Sequence, residues 1–343
     1  MSVAARFQLL FAICLLLVTG CGATQAAPKA PRPPPPPLHH GPLTDFVAAA
    51  GLRWMVVGRP AELAADPELV KALSPLLPAA RLAGYARGTG VDLTQTPSAL
   101  VAGSGYSTLY MAETTGDNAA VQSAFVGRLV SGAVEKHPHP DLHFVQGVVG
   151  RTPETLVRLQ GQLIAVAVGD PTLARVVEAY ALQRLKRSPT ALRGAALSTL
   201  PSDLGHAPLV FYAPGPFGHE WVGGAHGLLD AALAVAISVK PLSGQRLQAD
   251  VVLSGDWASE GPDSTSRLLA TWEDLAHSST GKLLGFDDPA AAPIISTTPK
   301  LLELRVELRL RPLVSGLHAA VAADVAEMLD IPSSPQGEPA RGP

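Results

Sequence analysis

Between Leu302 and Arg311 the chain alternates strictly: Leu302, Leu304, Val306, Leu308 and Leu310 are interleaved with Glu303, Arg305, Glu307, Arg309 and Arg311. A period of two puts the five apolar side chains on one face of a strand and the five charges on the other. A strand with one wet face belongs to an antiparallel sheet covered on one side. Opposite charges alternate along the wet face, which predicts cross-strand ion pairs rather than an anion site. After Pro312 the period changes. Leu313, Leu317, Val321, Val325 and Met328 recur at helical spacing, with the proline in the first turn.

Other elements follow from the same signals. Asp66-Pro67 and Asp170-Pro171 pair a capping carboxylate with a proline suited to a first helical turn. The second opens a helix with Leu173, Val176, Val177 and Tyr180 inward. Asp117 precedes a helix carrying Val121, Phe125 and Leu129. Pro262 and Asp263 precede one carrying Leu268, Leu269, Trp272 and Leu275. Strand pairs flank small turns: 99–103 with 107–112, 155–160 with 162–168, and 234–240 with 246–254. The runs 53–57 and 209–213 are also of strand type.

In order, these elements repeat. Residues 45–189 and 190–330 each read as β-ββ-α-β-α, with Thr190–His206 joining the halves and 286–299 forming a loop in the second. The predicted fold class is α+β, with antiparallel sheets covered on one face by helices and a duplicated unit. One irregular α+β domain is the alternative.

Composition narrows the functional classes. Of 343 residues, 47% are apolar and 16% charged, which excludes a disordered body. A net charge of −3 provides no field to gather nucleic acid or an anionic membrane. Aromatic residues make up 5%, too few for a base-stacking platform, and two cysteines exclude a disulfide framework.

The N-terminus carries the clearest signal. Arg6 is the only charge in the first twenty residues, and Phe7–Val18 is apolar apart from Gln8. That is a signal-peptide pattern, short for a membrane span. Val18-Thr19-Gly20-Cys21 closes it, and these residues resemble the lipobox of bacterial lipoproteins. The resemblance covers about the first 22 residues. It implies a diacylglyceryl thioether on Cys21, cleavage after Gly20 and acylation of the new N-terminus. Cys14 would leave with the leader. Gly22 stands where aspartate would mark inner-membrane retention, so the resemblance implies the outer membrane, facing the periplasm or the surface. An ordinary leader with an incidental cysteine is the alternative.

After Cys21 the chain is proline-rich, with an unbroken run from Pro33 to Pro37. Proline lacks an amide donor and fixes φ, so residues 21–44 read as an extended tether. The tail 331–343 reads as disordered.

Catalytic motifs are scarce. Gly103-Ser104-Gly105-Tyr106-Ser107 is not a nucleophile elbow, and Gly281-Lys282 is not a phosphate loop. His219-Glu220 lacks the second histidine of a zinc-protease helix; His226 lies too far along. Ser279-Thr280-Gly281-Lys282 matches S-x-x-K, yet it falls at a predicted helix end that Gly281 interrupts. His137, His139, Asp141 and His143 alternate along an extended stretch and form a conceivable zinc or copper set. Pro138 and Pro140 favour a solvated surface turn instead. The expectation is therefore no catalytic residue, no metal and no cofactor, with Cys21 the one modified residue. The chain reads as an envelope lipoprotein that binds or scaffolds an envelope protein or ligand, held to the membrane by N-terminal acyl chains. The alternatives are an exported hydrolase whose site only the fold assembles, or a lipid carrier with an apolar cavity.

Overall fold

Twelve strands among the described residues form one antiparallel sheet in the order β11-β12-β10-β9-β8-β1-β2-β3-β7-β6-β5-β4. The computed structural model describes residues 35, 37–114, 118–218, 225–260 and 263–328. Leu38–Pro343 form one unit and Met1–Pro37 another. The expected leader, Cys21 and the tail 331–343 lie outside the described residues, as does the tether up to Pro37 except Pro35 and Pro37 themselves.

The strands are β1 Trp54–Gly58, β2 Ala99–Ser104, β3 Ser107–Glu113, β4 Val134–His139, β5 Leu142–Val149 and β6 Thr152–Leu159. They continue with β7 Leu163–Val168, β8 Leu209–Pro214, β9 Ala232–Leu242, β10 Arg246–Gly255, β11 Ile294–Thr297 and β12 Leu301–Arg309. The helices are α1 Pro60–Ala64, α2 Pro67–Leu73, α3 Ala79–Thr89, α4 Ala119–Gly127 and α5 Thr172–Ala181. Then come α6 Asp263–His277, α7 Ser279–Leu283 and α8 Leu310–Met328, besides single turns.

All three expected hairpins form, as β2/β3, β6/β7 and β9/β10. The halves are not separate bodies, because β1 pairs with β8 through Met55↔Tyr212 and Val57↔Val210. Outward from that seam run β1-β2-β3-β7-β6 on one side and β8-β9-β10-β12-β11 on the other. The first half adds β5 and β4 at its outer edge. The linker lies across the sheet in three short 3-10 turns, with Ala191 and Leu197 buried.

Helices cover both faces, in patches, rather than one. The largest apolar cluster joins Met55, Leu100, Met111, Val157 and Ala165 to Val177 of α5 and to the linker. On the opposite face, Val121 and Phe125 of α4 cover Val145, Leu156 and Ile164. Farther along that face, Leu268 of α6 packs on Leu302, Leu304 and Val306, and Leu69 of α2 meets Leu247, Leu310 and Val314.

Several boundaries differ from the sequence reading. The strand ends at Arg309, and Leu310 opens α8, because β10 begins at Arg246 and offers no partner beyond the Arg246↔Arg309 pair. In α8, Leu310 and Val314 are buried, while Val321 is 43% exposed. The side chains of Val325 and Met328 lie outside the described residues, as do Asp117 and Pro262. In α6, Leu269 and Leu275 face solvent while Leu268 is buried. The 286–299 loop contains β11, a strand ordered by its ladder to β12. The folded body begins at Leu38 rather than after Thr44: Leu38 and Leu43 are buried, and the His39 amide donates to the Ala181 carbonyl.

Candidate functional site

Of four concave surfaces among the described residues, the two of greatest volume lie on opposite faces of the sheet. The first is a polar cleft of about 710 Å³. Its floor is the wet face of β9, β10 and β12, carrying Ser238, Lys240, Asp250, Glu303 and Arg305; the linker stretch Pro201–Pro208 forms a wall. The alternation read from β12 creates this floor, since Arg305 stands opposite Asp250 and Glu307 opposite Gln248 in the ladder.

The charges of the floor are used on each other. Arg305 Nε donates to Asp250 Oδ1 at 2.6 Å, and Gln248 Nε2 donates to both Asp250 oxygens at 2.8 Å. Lys240 Nζ stands 4.0 Å from the same carboxylate. Arg246 Nη1 donates to Glu307 Oε2 at 2.8 Å. The Asp250 hydrogen bond raises the Arg305 pKa above its ordinary value, with the carboxylate's charge adding to it. These are the cross-strand pairs expected of the wet face. Arg59 closes one end by donating to the carbonyls of Gly205 and His206.

The second surface is an apolar groove of about 560 Å³. It runs between α3 and α4 over β2, β3 and β7, lined by Tyr85, Val101, Tyr110, Phe125, Val166 and Val168. Val101 pairs with Tyr110, and Tyr110 with Val166, so the three share one face in a row across the strands. Tyr85 and Tyr110 are nearly half exposed, at 46% and 48%. Arg128 and Glu154 are the charged groups in the lining, their nearest atoms 3.7 Å apart.

The histidine segment is an edge strand and its turn, not a solvated loop. β4 pairs with β5, with a register shift between Lys136 and His139. Pro138 is tolerated because β4 has no neighbour on its outer side, and Pro140 falls in the turn. His137 and His143 meet, Nδ1 to Nδ1, at 2.7 Å, and His143 Nε2 faces the Pro140 carbonyl at 2.8 Å. His139 is buried and its Nδ1 accepts from the Asp141 amide. The four expected side chains therefore do not converge on one point. Among the described residues no group of three His, Cys, Asp or Glu side chains is placed to hold a metal ion.

The remaining motifs disperse. His219 and Glu220 lie outside the described residues, while His226 Nε2 faces Asp274 Oδ2 at 2.8 Å. The S-x-x-K stretch forms α7, a helix of its own that Gly281 does not interrupt; Ser278 caps it by accepting from the Gly281 amide at 2.9 Å. Gly281 is needed because a Cβ would collide with the Leu275 and Ala276 carbonyls ending α6. Ser279 and Lys282 are exposed there.

Neither of these two surfaces stood in a sequence motif, whereas a smaller one of about 380 Å³ is lined in part by Lys136, His137 and Pro138 of the histidine segment. The cleft carried one legible signal, the charged face of β12. The groove carried none, because its strands and helices are separated along the chain and only the ladders bring them together.

No family model matches the sequence, and no curated protein matches it. Among solved structures, crystal forms III and IV of TP0453 are similar in fold, with TM-scores of 0.48 and 0.46 at 10% identity. Each alignment covers 82% of this chain, and 99% and 97% of the TP0453 chains respectively. Among the described residues no helix is long and apolar enough to cross a membrane.

Proposed function

We propose that this chain is a lipoprotein of the bacterial envelope, held by acyl chains on Cys21, whose folded body binds a partner or ligand without catalysing a reaction on it. The observation that carries the reading is Val18-Thr19-Gly20-Cys21 behind an uncharged apolar run. One acyl chain anchors a protein only marginally, whereas two or three hold it stably. Residues 22–37, rich in proline, separate that anchor from the body beginning at Leu38. Gly22 favours delivery to the outer membrane. A binding role is supported by the two concave surfaces. In the polar cleft, Asp250 accepts from both Arg305 and Gln248, an arrangement suited to shape and rigidity more than to proton transfer.

Metabolic labelling with a fatty-acid probe tests the anchor. Wild type should be labelled and should sediment with outer-membrane fractions; Cys21→Ser should be unlabelled and released. Equal label on both overturns the reading.

A further inference from the structure

The α3/α4 groove has a long apolar trough and one charged end. The trough exists because the strands under it carry short or planar side chains: Val101 and Ala99 on β2, Tyr110 and Ala112 on β3, Val166 and Val168 on β7. A hydrophobic floor left partly open to water between two helices is costly unless something covers it. The volume of the open groove, about 560 Å³, is within the roughly 300–1,000 Å³ typical of small-molecule sites. It has room for one hydrocarbon chain.

The charged end points to the head group. Arg128 follows the C-terminal end of α4, its guanidinium over the Phe125 ring at 5.6 Å from the centroid. Glu154, opposite Val168 in the β6/β7 ladder, is the nearby carboxylate. Its Oε2 stands 3.7 Å from Arg128 Nη2, a long ion pair that engages one end of the guanidinium. Arginine carries five donors suited to a carboxylate or phosphate. The guanidinium lies over the aromatic ring, is 42% exposed, and beside its pair with Glu154 keeps its other N–H groups for an anion at the end of the trough.

We propose that this groove binds a single-chain anionic amphiphile, a fatty acid or a lysophospholipid, with its carboxylate or phosphate on Arg128. The hydrocarbon chain lies over Val168, Val166, Tyr110 and Val101. This rests on the binding role proposed above and names the ligand class, but it does not depend on Cys21 being acylated.

The test uses the mature chain with Cys21→Ser, so that no acyl group of its own competes, and the probe 11-(dansylamino)undecanoic acid. Fluorescence titration should show one saturable site. Palmitate, 1-palmitoyl lysophosphatidic acid and hexadecanol serve as competitors. Displacement by either anion supports the proposal, and the stronger competitor identifies the source. Arg128→Gln should weaken palmitate about tenfold, the loss of one charge-assisted contact, and leave hexadecanol within about twofold. Val166→Trp should fill the trough and abolish binding. Tyr110→Lys, at a half-exposed position that tolerates the change, should weaken it without altering the melting temperature. Absence of saturable binding, or binding unchanged in Tyr110→Lys and Arg128→Gln with unchanged melting, overturns the proposal. Loss of Cys21 labelling in the earlier experiment would leave this result untouched, so the two readings fail separately.

Discussion

Val306 and Glu307 are adjacent in sequence and opposite in environment, so a pair of substitutions measures the β12 geometry directly. Val306 is 1% exposed, stands opposite Ala249 on β10, and sits in the cluster with Leu304, Leu308 and Leu268. Val306→Ala removes two methyl groups at about 0.8 kcal/mol each, plus a cavity contribution, for about 2 kcal/mol in all. Val306→Asp loses the same contacts and adds a carboxylate among apolar neighbours. The carboxylate can avoid ionising by taking up a proton, which limits the extra cost to its pKa shift. A shift of about 3 units is about 4 kcal/mol, giving a total near 6 kcal/mol at neutral pH. That is comparable to the whole stability of many domains, about 5–15 kcal/mol. Because burial raises the pKa of the new aspartate, its penalty grows as pH rises above the unfolded value, about 3.9, and levels off above the folded one. At pH 4 the Asp and Ala variants should therefore converge. Glu307→Gln gives up one partly exposed pair with Arg246, worth about 0.5–1 kcal/mol. Urea melts of the three variants at pH 4 and pH 7.5 separate these outcomes. Equal midpoints for Val306→Asp and Glu307→Gln, or a gap between Asp and Ala that does not widen with pH, would refute the one-sided strand.

Three further outcomes are expected. A chain starting at Thr44 loses the buried Leu38 and Leu43 and should melt earlier by an amount corresponding to about 3–6 kcal/mol, whereas one starting at Pro37 should match the parent in the same calorimetric scan. Asp170 accepts from the Thr172 amide at 2.8 Å, and that bond lowers its pKa. Its cap is therefore complete above the unfolded carboxylate value and lost as pH falls through the folded one. Asp170→Ala should cost about 1 kcal/mol at pH 7 and less below pH 3, read from denaturant midpoints at both values. Gly281→Ala puts a methyl against the Leu275 and Ala276 carbonyls and should destabilise by about 2 kcal/mol or more, measured by thermal melting; a neutral result would mean that α6 and α7 do not pack this closely.

Local order was legible in the chain to the extent that it is set locally. The β12 alternation, the three hairpins and the Asp66 and Asp170 caps each depend on residues within a few positions of one another, so spacing alone placed them. The expected lipid site at Cys21 is of the same kind, four consecutive residues behind an apolar run. What spacing could not place was anything that needs a partner from far along the chain. β11 has four residues and takes its order from β12. β4 carries Pro138 and is a strand because it occupies a sheet edge. Leu38 looked like part of a proline tether and is core because α5 and the sheet surround it.

The same division holds for the whole molecule. Sequence by itself determined the α+β class, the hairpins and the wet face of β12, since period and turn chemistry are properties of a short stretch. Tertiary structure decided that the halves share one sheet through β1 and β8, that helices cover both faces, and that a trough stays open between α3 and α4. Val101, Tyr110 and Val166 are unremarkable strand residues until two ladders set them side by side. Whether a given apolar face is then covered depends on where helices from other parts of the chain come to rest, and no local period encodes that.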